Sequence, residues 1–460
     1  MLTNLALSSL LLLSAGSSLT TAAPVAVSSL TAIEIRSPPL PVNADGSLSS
    51  TLLERDLSAT LAKYSSRLEE AKGRLKDAND RVHDKVDAVK ARIEAKKAKL
   101  EAKKGKKNLS PTAVPLRQGS TANVLATVSI GTPAQKLPLI VDTGSSDLWV
   151  MANAGAENST LRSCRTLPFS FDITGSSSLA LTGEEVDLTF VQGSQRGLVG
   201  SDIVSIGDLT IEEQYFGGVQ GLGGPDFGGV LGLSFQKLAK IDKPTFFSQL
   251  VSSGQVEKAS FGLYVSQDAS SLSELTLGGP NPKHYKGERT EIPTFKGMQD
   301  WALQLSRYSA GDKSVDITTV ALIDSGSTSS YIPKEAAAAI YSAIPGAYLD
   351  KSPEAAYSIT INGATYKVDR YVYPCNSTIS PAYTFAASDR RFEVSPSTLS
   401  LGFVDDEQSL CAGTIMGVDL KMNGVTAALL GVDFLQNYYS EFRFGSDSEA
   451  PSIVFATAKA

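Results

Sequence analysis

Histidine is almost missing from this chain of 460 residues: there are two, His83 and His284. That scarcity excludes a Ser-His-Asp triad, a Cys-His pair and a His-rich zinc site. His284 stands in Asn-Pro-Lys-His-Tyr, a loop composition, and reads as a surface residue. Cysteines number three (Cys164, Cys375, Cys411) with no CxxC spacing, so no metal site and no cofactor are expected. Tryptophans are two, Trp149 and Trp301, too few to line a sugar-binding groove. No segment beyond the N-terminal stretch runs to 18 apolar residues, and the final residues lack a lipid-anchor tail. No membrane partner is expected.

What is present is unevenly distributed. Residues 1–107 hold 18 Lys+Arg against 12 Asp+Glu, whereas the remainder holds 24 against 36. A basic leader therefore precedes an acidic body, and the opposite fields attract. The apolar stretch Leu5 to Leu19, followed by Thr21, Ala22 and Ala23, is too short and serine-rich for a membrane span. It has the form of a secretory signal covering residues 1–22 and lacking a basic n-region. Leu61, Leu68, Leu75, Val82 and Val89 recur every seven residues within Leu53–Lys107, which predicts a long amphipathic helix ending in paired lysines. An exported chain without interleaved aromatics does not suit nucleic-acid binding. The lysines are read as part of a propeptide that lies against the acidic body. From Ala122 the texture becomes short alternating runs divided by Gly, Ser and Pro signals, such as Val124–Ile130, Leu137–Val141, Leu198–Ile206 and Ser358–Ile361. That pattern predicts an all-β fold with few, short helices, foremost Thr245–Ser252 and Lys334–Ile344.

Two of those runs end in a lone acid. Leu137-Pro-Leu-Ile-Val-Asp142-Thr-Gly-Ser-Ser and Val320-Ala-Leu-Ile-Asp324-Ser-Gly-Ser-Thr stand 182 positions apart. Each is followed by a later apolar-apolar-Gly segment, at Gly232 and at Gly431. A buried carboxylate costs several kcal/mol unless it is hydrogen-bonded or shares its charge, so each acid needs a reason. A single Asp-Thr-Gly is a plausible turn. Two copies after apolar strands point instead to two similar lobes that each bring one acid to a shared interface. Two adjacent carboxylates share a proton, and such a pair can deprotonate water while protonating a carbonyl oxygen. Ser145 and Ser327, each three residues after its acid, are placed to hydrogen-bond the outer carboxylate oxygens. Thr143 and Ser325 are placed to tie the two loops together. A two-carboxylate glycosidase also uses paired acids, but it would need sugar-binding aromatics.

The motifs Val141-Asp-Thr-Gly-Ser-Ser-Asp-Leu-Trp-Val150, Phe171-Asp-Ile-Thr-Gly-Ser-Ser-Ser178, Gly229-Val-Leu-Gly-Leu233, Leu275-Thr-Leu-Gly-Gly279, Ile323-Asp-Ser-Gly-Ser-Thr328 and Leu430-Gly-Val-Asp-Phe-Leu435 resemble the pepsin family (A1) of aspartic endopeptidases, of the secreted fungal kind. The resemblance covers about residues 118–457. It implies a bilobal β fold with a cleft between lobes, Asp142 and Asp324 as catalytic acids, and a hairpin flap over an extended peptide. Gly144, Gly326 and Thr328 would border the substrate backbone, and Phe190, Gly193 and Ser194 would form the flap. Phe190 stands where the family usually has a tyrosine whose hydroxyl meets the tryptophan matching Trp149. That departure supplies the alternative of a catalytically weakened binding or inhibitor protein. By the same resemblance Cys375 and Cys411 form the second lobe's disulfide, the usual first-lobe disulfide is absent, and Cys164 stands alone. Asn158 and Asn376 open glycosylation sequons, as does Asn108. The expected plan is a signal over 1–22, a helical propeptide over 23–107, a first lobe with flap over 108–295 and a second lobe over 296–460. The expected product is a secreted zymogen (the vacuole as second destination) that is a monomer when mature. Its expected partners are peptide or protein substrates and its own inhibitory propeptide.

Overall fold

Alternation of apolar and polar residues produces strands throughout the part of the chain that the computed structural model describes. That part comprises residues 109–119, 123–153, 169–190, 193–219, 226–296, 298, 300–355, 358–361, 364–422, 424–446 and 448–459. The signal, the heptad segment, Asn108, Asn158 and Cys164 lie outside the described residues. Val124–Ile130 is a strand as expected, and Leu137–Val141 is the buried centre of Gln135–Asp142. A run buried on both faces needs partners on both sides, and Gln135–Asp142 has them: Val124–Ile130 antiparallel and Gly229–Gly232 parallel.

The fold is all-β and bilobal. The first half is built on a 14-stranded sheet whose central strands include Thr112–Gln118, Val124–Ile130, Gln135–Asp142, Gly229–Gly232 and Leu148–Asn153. At one end this sheet takes in Tyr438–Arg443 and Ser452–Ala458 from late in the chain, through Ser260–Tyr264 and Tyr285–Pro293. The second half has its own nine-stranded sheet, centred on Ala302–Ala310, Thr319–Ile323, Val425–Leu430 and Ser330–Ile332. A four-stranded sheet holds Tyr371–Pro374 and Leu410–Gly413 side by side.

Among the described residues the short α-helices are Phe246–Ser252, Lys334–Ser342 and Val432–Leu435. Phe246–Ser252 starts where Thr245 accepts a hydrogen bond from Ser248 N, and it buries Phe246, Phe247 and Leu250. Lys334–Ser342 stops two residues before the expected Ile344. There the backbone tightens, with Ala343 N bonding Ile340 O and Ile344 N bonding Tyr341 O, and Gly346 then takes φ +83° to turn the chain. Trp301 is 0 % exposed among Phe235, Phe261, Phe442 and Phe444, with its indole N–H donating to Leu233 O at 3.0 Å. Trp149 is also buried, at 4 % exposure, so neither tryptophan offers the exposed stacking face a sugar site needs. Among the described residues no helix is long and apolar enough to cross a membrane.

Candidate active site

Each acid loop hangs from the same three-strand plan. In the first half Gln135–Asp142 runs parallel to Gly229–Gly232, which lies antiparallel to Leu148–Asn153. In the second, Thr319–Ile323 runs parallel to Val425–Leu430, which lies antiparallel to Ser330–Ile332 at Tyr331 and Leu429. The chain thus leaves one strand, rounds the acid and returns across a middle strand contributed much later in sequence. Glycine ends each middle strand because nothing larger fits. A Cβ on Gly232 would lie 2.5 Å from Ser146 C, and one on Gly431 would lie 2.7 Å from Ser327 O. Main-chain bonds then fasten the loops: Leu233 N to Asp142 O at 2.8 Å, Asp324 N to Leu430 O at 2.9 Å and Val432 N to Ser327 O at 2.8 Å.

The two loops are locked to each other by a reciprocal set of four bonds. Thr143 N donates to Ser325 Oγ at 3.1 Å and Ser325 N donates to Thr143 Oγ1 at 3.0 Å. Thr143 Oγ1 in turn donates to Ile323 O at 2.8 Å, and Ser325 Oγ to Val141 O at 2.7 Å. Both side chains are 0 % exposed, so each hydroxyl satisfies groups that water cannot reach.

The grip brings the carboxyls together. Gly144 N donates to Asp142 Oδ1 and Gly326 N to Asp324 Oδ1, each at 2.8 Å. Each glycine also abuts the opposite acid: a Cβ on Gly144 would sit 2.6 Å from Asp324 Cγ, and one on Gly326 would sit 2.7 Å from Asp142 Cγ. Ser145 Oγ donates to Asp142 Oδ2 in a short bond. Protein crowding withdraws water from the Asp324 carboxyl and raises its pKa well above the usual carboxylate value. The Asp142 charge and a hydrogen bond to Asp142 add to that rise, while the Gly326 and Gly144 amides oppose it.

Not every expected site residue lies where the sequence suggested. Ser327 Oγ donates to Ser329 O at 2.9 Å rather than to Asp324, because the loop turns that carbonyl toward it and a hydroxyl has one proton to give. Gly144, Gly326 and Thr328 are half-buried in the acid loops. The hairpin expected to be the flap is formed by Ala180–Phe190 and Gly193–Ile206, paired with Thr189 opposite Ser194 and Phe190 opposite Gly193. The side chains of Phe190, Gly193 and Ser194 lie outside what is described. Cys375 and Cys411 form a disulfide spanning 36 positions. Asn376, beside it, is exposed. His284 is not a free surface residue. Its ring stacks on Tyr264 with centroids 4.4 Å apart, and Nε2 lies 3.0 Å from Glu274 Oε2.

Three residues near the acids were not anticipated. Asn123 donates from its side-chain amide to Gly326 O at 3.0 Å across the lobes. Nothing in the sequence around Asn123 signals that reach. Asp147 is buried and accepts from Lys240 N at 2.8 Å and Ile241 N at 3.0 Å, with burial raising its pKa. Asp433 is 3 % exposed and accepts from Ser330 Oγ at 2.7 Å and Ser330 N at 3.2 Å. Burial pushes its pKa up to about 6, against the pull of hydrogen bonds from Ser330, Thr414 and Phe434. A lone acid inside Leu-Leu-Gly-Val-Asp-Phe-Leu was a signal that could have found it. Among the described residues no group of three or more His, Cys, Asp or Glu is arranged to hold a metal.

The comparisons agree with this geometry. The family model described as eukaryotic aspartyl protease matches residues 123–458. Major aspartyl peptidase 1 of Cryptococcus neoformans is 27 % identical over 71 % of this chain and 67 % of its own length. Cathepsin E of Rattus norvegicus is 29 % identical over 71 % of this chain and 79 % of its own. A renin of Echis ocellatus is 30 % identical over 72 % and 79 %. The chain belongs to the eukaryotic aspartyl protease family, the pepsin-like aspartic endopeptidases.

Proposed function

We propose that the protein is made as a zymogen, is secreted, and hydrolyses internal peptide bonds between mainly hydrophobic residues at acidic pH by a water molecule that Asp142 and Asp324 activate. The observation that carries this reading is the pairing of the two carboxyls, with burial and the neighbouring charge keeping a proton on the Asp324 side. Asp142, held by Gly144 N and Ser145 Oγ, is the member equipped to carry negative charge and take the proton from water. Asp324 gives its proton to the carbonyl oxygen, and the amide is attacked without a covalent intermediate. Thr143 and Ser325 fix the separation of the acids. Ser327 supports the second loop through Ser329 O rather than by touching its acid. Gly144, Gly326 and Thr328 border the peptide backbone, and the hairpin carrying Phe190, Gly193 and Ser194 closes over it.

In this reading residues 1–22 are a signal and 23–107 an inhibitory propeptide, supported by the basic leader and acidic body. Residues 108–295 and 296–460 are the two lobes, with the closing strands of the chain contributed back to the first lobe's sheet. Secretion accords with the disulfide and with the exposed sequon at Asn376, which is proposed to carry glycan along with Asn158. The similarity to the probable vacuolar protease A of Trichophyton verrucosum, 27 % identical, keeps the vacuole as the second destination. The mature enzyme acts as a monomer on peptides and proteins.

The test is digestion of a denatured protein across pH by the mature enzyme and by its Asp142→Asn and Asp324→Asn variants. The expected result is cleavage at acid pH, absent in both variants and blocked by a transition-state-mimicking peptide such as pepstatin. Tight binding of that peptide by a wild type that cleaves nothing would favour the binding or inhibitor protein instead. A rate that stays flat above neutrality would remove the shared-proton mechanism.

A further inference from the structure

Asn123 reaches the second acid loop through a hydrogen bond whose partner makes it informative. It lies in the first lobe directly before strand Val124–Ile130, its carbonyl accepting from Gly119 N at 2.8 Å. Its side chain is 7 % exposed and its amide nitrogen meets the Gly326 carbonyl oxygen, 203 positions away, at 3.0 Å. Two oxygens would repel there, so the partner itself fixes which way the amide faces.

Gly326 must be glycine, since any Cβ would press on Asp142 Cγ at 2.7 Å. That requirement carries a penalty, because glycine leaves the backbone loosest where its N–H supports Asp324. In the proposed function the carbonyl of the same residue borders the substrate backbone. A carbonyl oxygen has two lone pairs, so a bond from Asn123 leaves one for the main-chain N–H of a substrate. We infer that Asn123 is a positioning residue that pins the Gly326 carbonyl across the lobe interface in the orientation that receives an extended peptide. This rests on the peptidase reading and adds a residue to it. Asn123 acts through Gly326. Removing it disorders a group that binds substrate and transition state alike, so its loss falls on KM rather than kcat.

The decisive experiment compares the wild-type enzyme with Asn123→Ala and Asn123→Asp on one peptide substrate, with KM and kcat measured from about pH 3 to pH 6 around the ordinary aspartate pKa. Asn123→Ala is expected to raise KM by about threefold to tenfold, the range a single neutral hydrogen bond carries, with kcat little changed. Asn123→Asp has the same shape. Its protonated carboxyl can donate to Gly326 O, whereas its ionised form cannot and repels that oxygen. The KM of the Asp variant relative to wild type should therefore rise as pH passes through the aspartate range. A purely structural role would not produce that dependence, and thermal melting of each variant separates any loss of folded protein. Should Asn123→Ala fold poorly, the isosteric Asp variant still decides. A wild type that cleaves peptide while both variants keep its KM at every pH overturns the inference alone. A wild type with no peptidase activity overturns the proposed function and this inference with it.

Discussion

Replacing Asp433 by asparagine isolates a buried acid that the proposed chemistry does not use. The carboxyl sits beneath the second acid loop, 3 % exposed, near the Tyr341 and Tyr383 hydroxyls, whose pKa values burial raises and its charge raises further. Its own pKa of about 6 stands above the ordinary 3.8. Between those values the folded protein holds a proton that the unfolded chain has released, so stability falls as pH rises through this window. Below the ordinary value the penalty is absent, and above about 6 it is complete. About two units at 1.36 kcal/mol each amount to about 3 kcal/mol. Asp433→Asn cannot ionise and escapes the penalty. It also places an amide nitrogen or a weaker acceptor against Ser330 N, a loss that is the same at every pH and cancels when two pH values are compared. Denaturant unfolding of both proteins at about pH 3.5 and pH 7 is the assay, with the variant expected to gain about 3 kcal/mol relative to wild type at the higher pH. A stability difference that does not change with pH would refute the account of Asp433 as a buried acid near neutrality.

Two further perturbations test the frame around the acids. Thr143→Val removes the donor to Ile323 O and the acceptor of Ser325 N while keeping the shape. It should cost about 1–3 kcal/mol for each buried group left unpaired, and Ser325→Ala should add less in the double variant than alone. Fully additive losses in a double-mutant cycle would show that the loops are not locked as described. Converting Cys375 and Cys411 together to serine opens a loop of 36 positions and should lower stability by about 4 kcal/mol in the chain-entropy model. An unfolding midpoint unmoved by the change would show that the loop is already constrained without it.

The parts of the site legible in the sequence are those whose causes are local. A lone acid after an apolar strand, a glycine beside it and a hydroxyl next in line are consequences of what one loop can hold, and they occur twice. The strand Val124–Ile130 was readable because its residues alternate, and so was the start of the helix at Lys334 after Pro333. What escaped depends on how a loop turns or on partners far away in sequence, neither of which a local pattern encodes. Ser327 has the same spacing from its acid as Ser145, yet its hydroxyl goes to Ser329 O, because the second loop turns differently. His284 has a loop composition, but that loop folds over Tyr264 and Glu274. Asn123 sits among residues with no pattern, and its significance comes from a carbonyl 203 positions later. The entry of Tyr438–Arg443 and Ser452–Ala458 into the first half's sheet had no local signal either, since register between distant strands is set by the assembled core.

That shared sheet has a consequence for how the protein is born. Ser260–Tyr264 waits for Tyr438–Arg443, and Tyr285–Pro293 waits for Ser452–Ala458, so the first half cannot finish its sheet while the ribosome is still making the second. For that interval its strands present open edges that invite pairing with other chains. Loops of well over a hundred residues must then close late, which places the protein among slow folders. A chain cut short anywhere before Ser452 would leave the two acids supplied and their common platform unfinished.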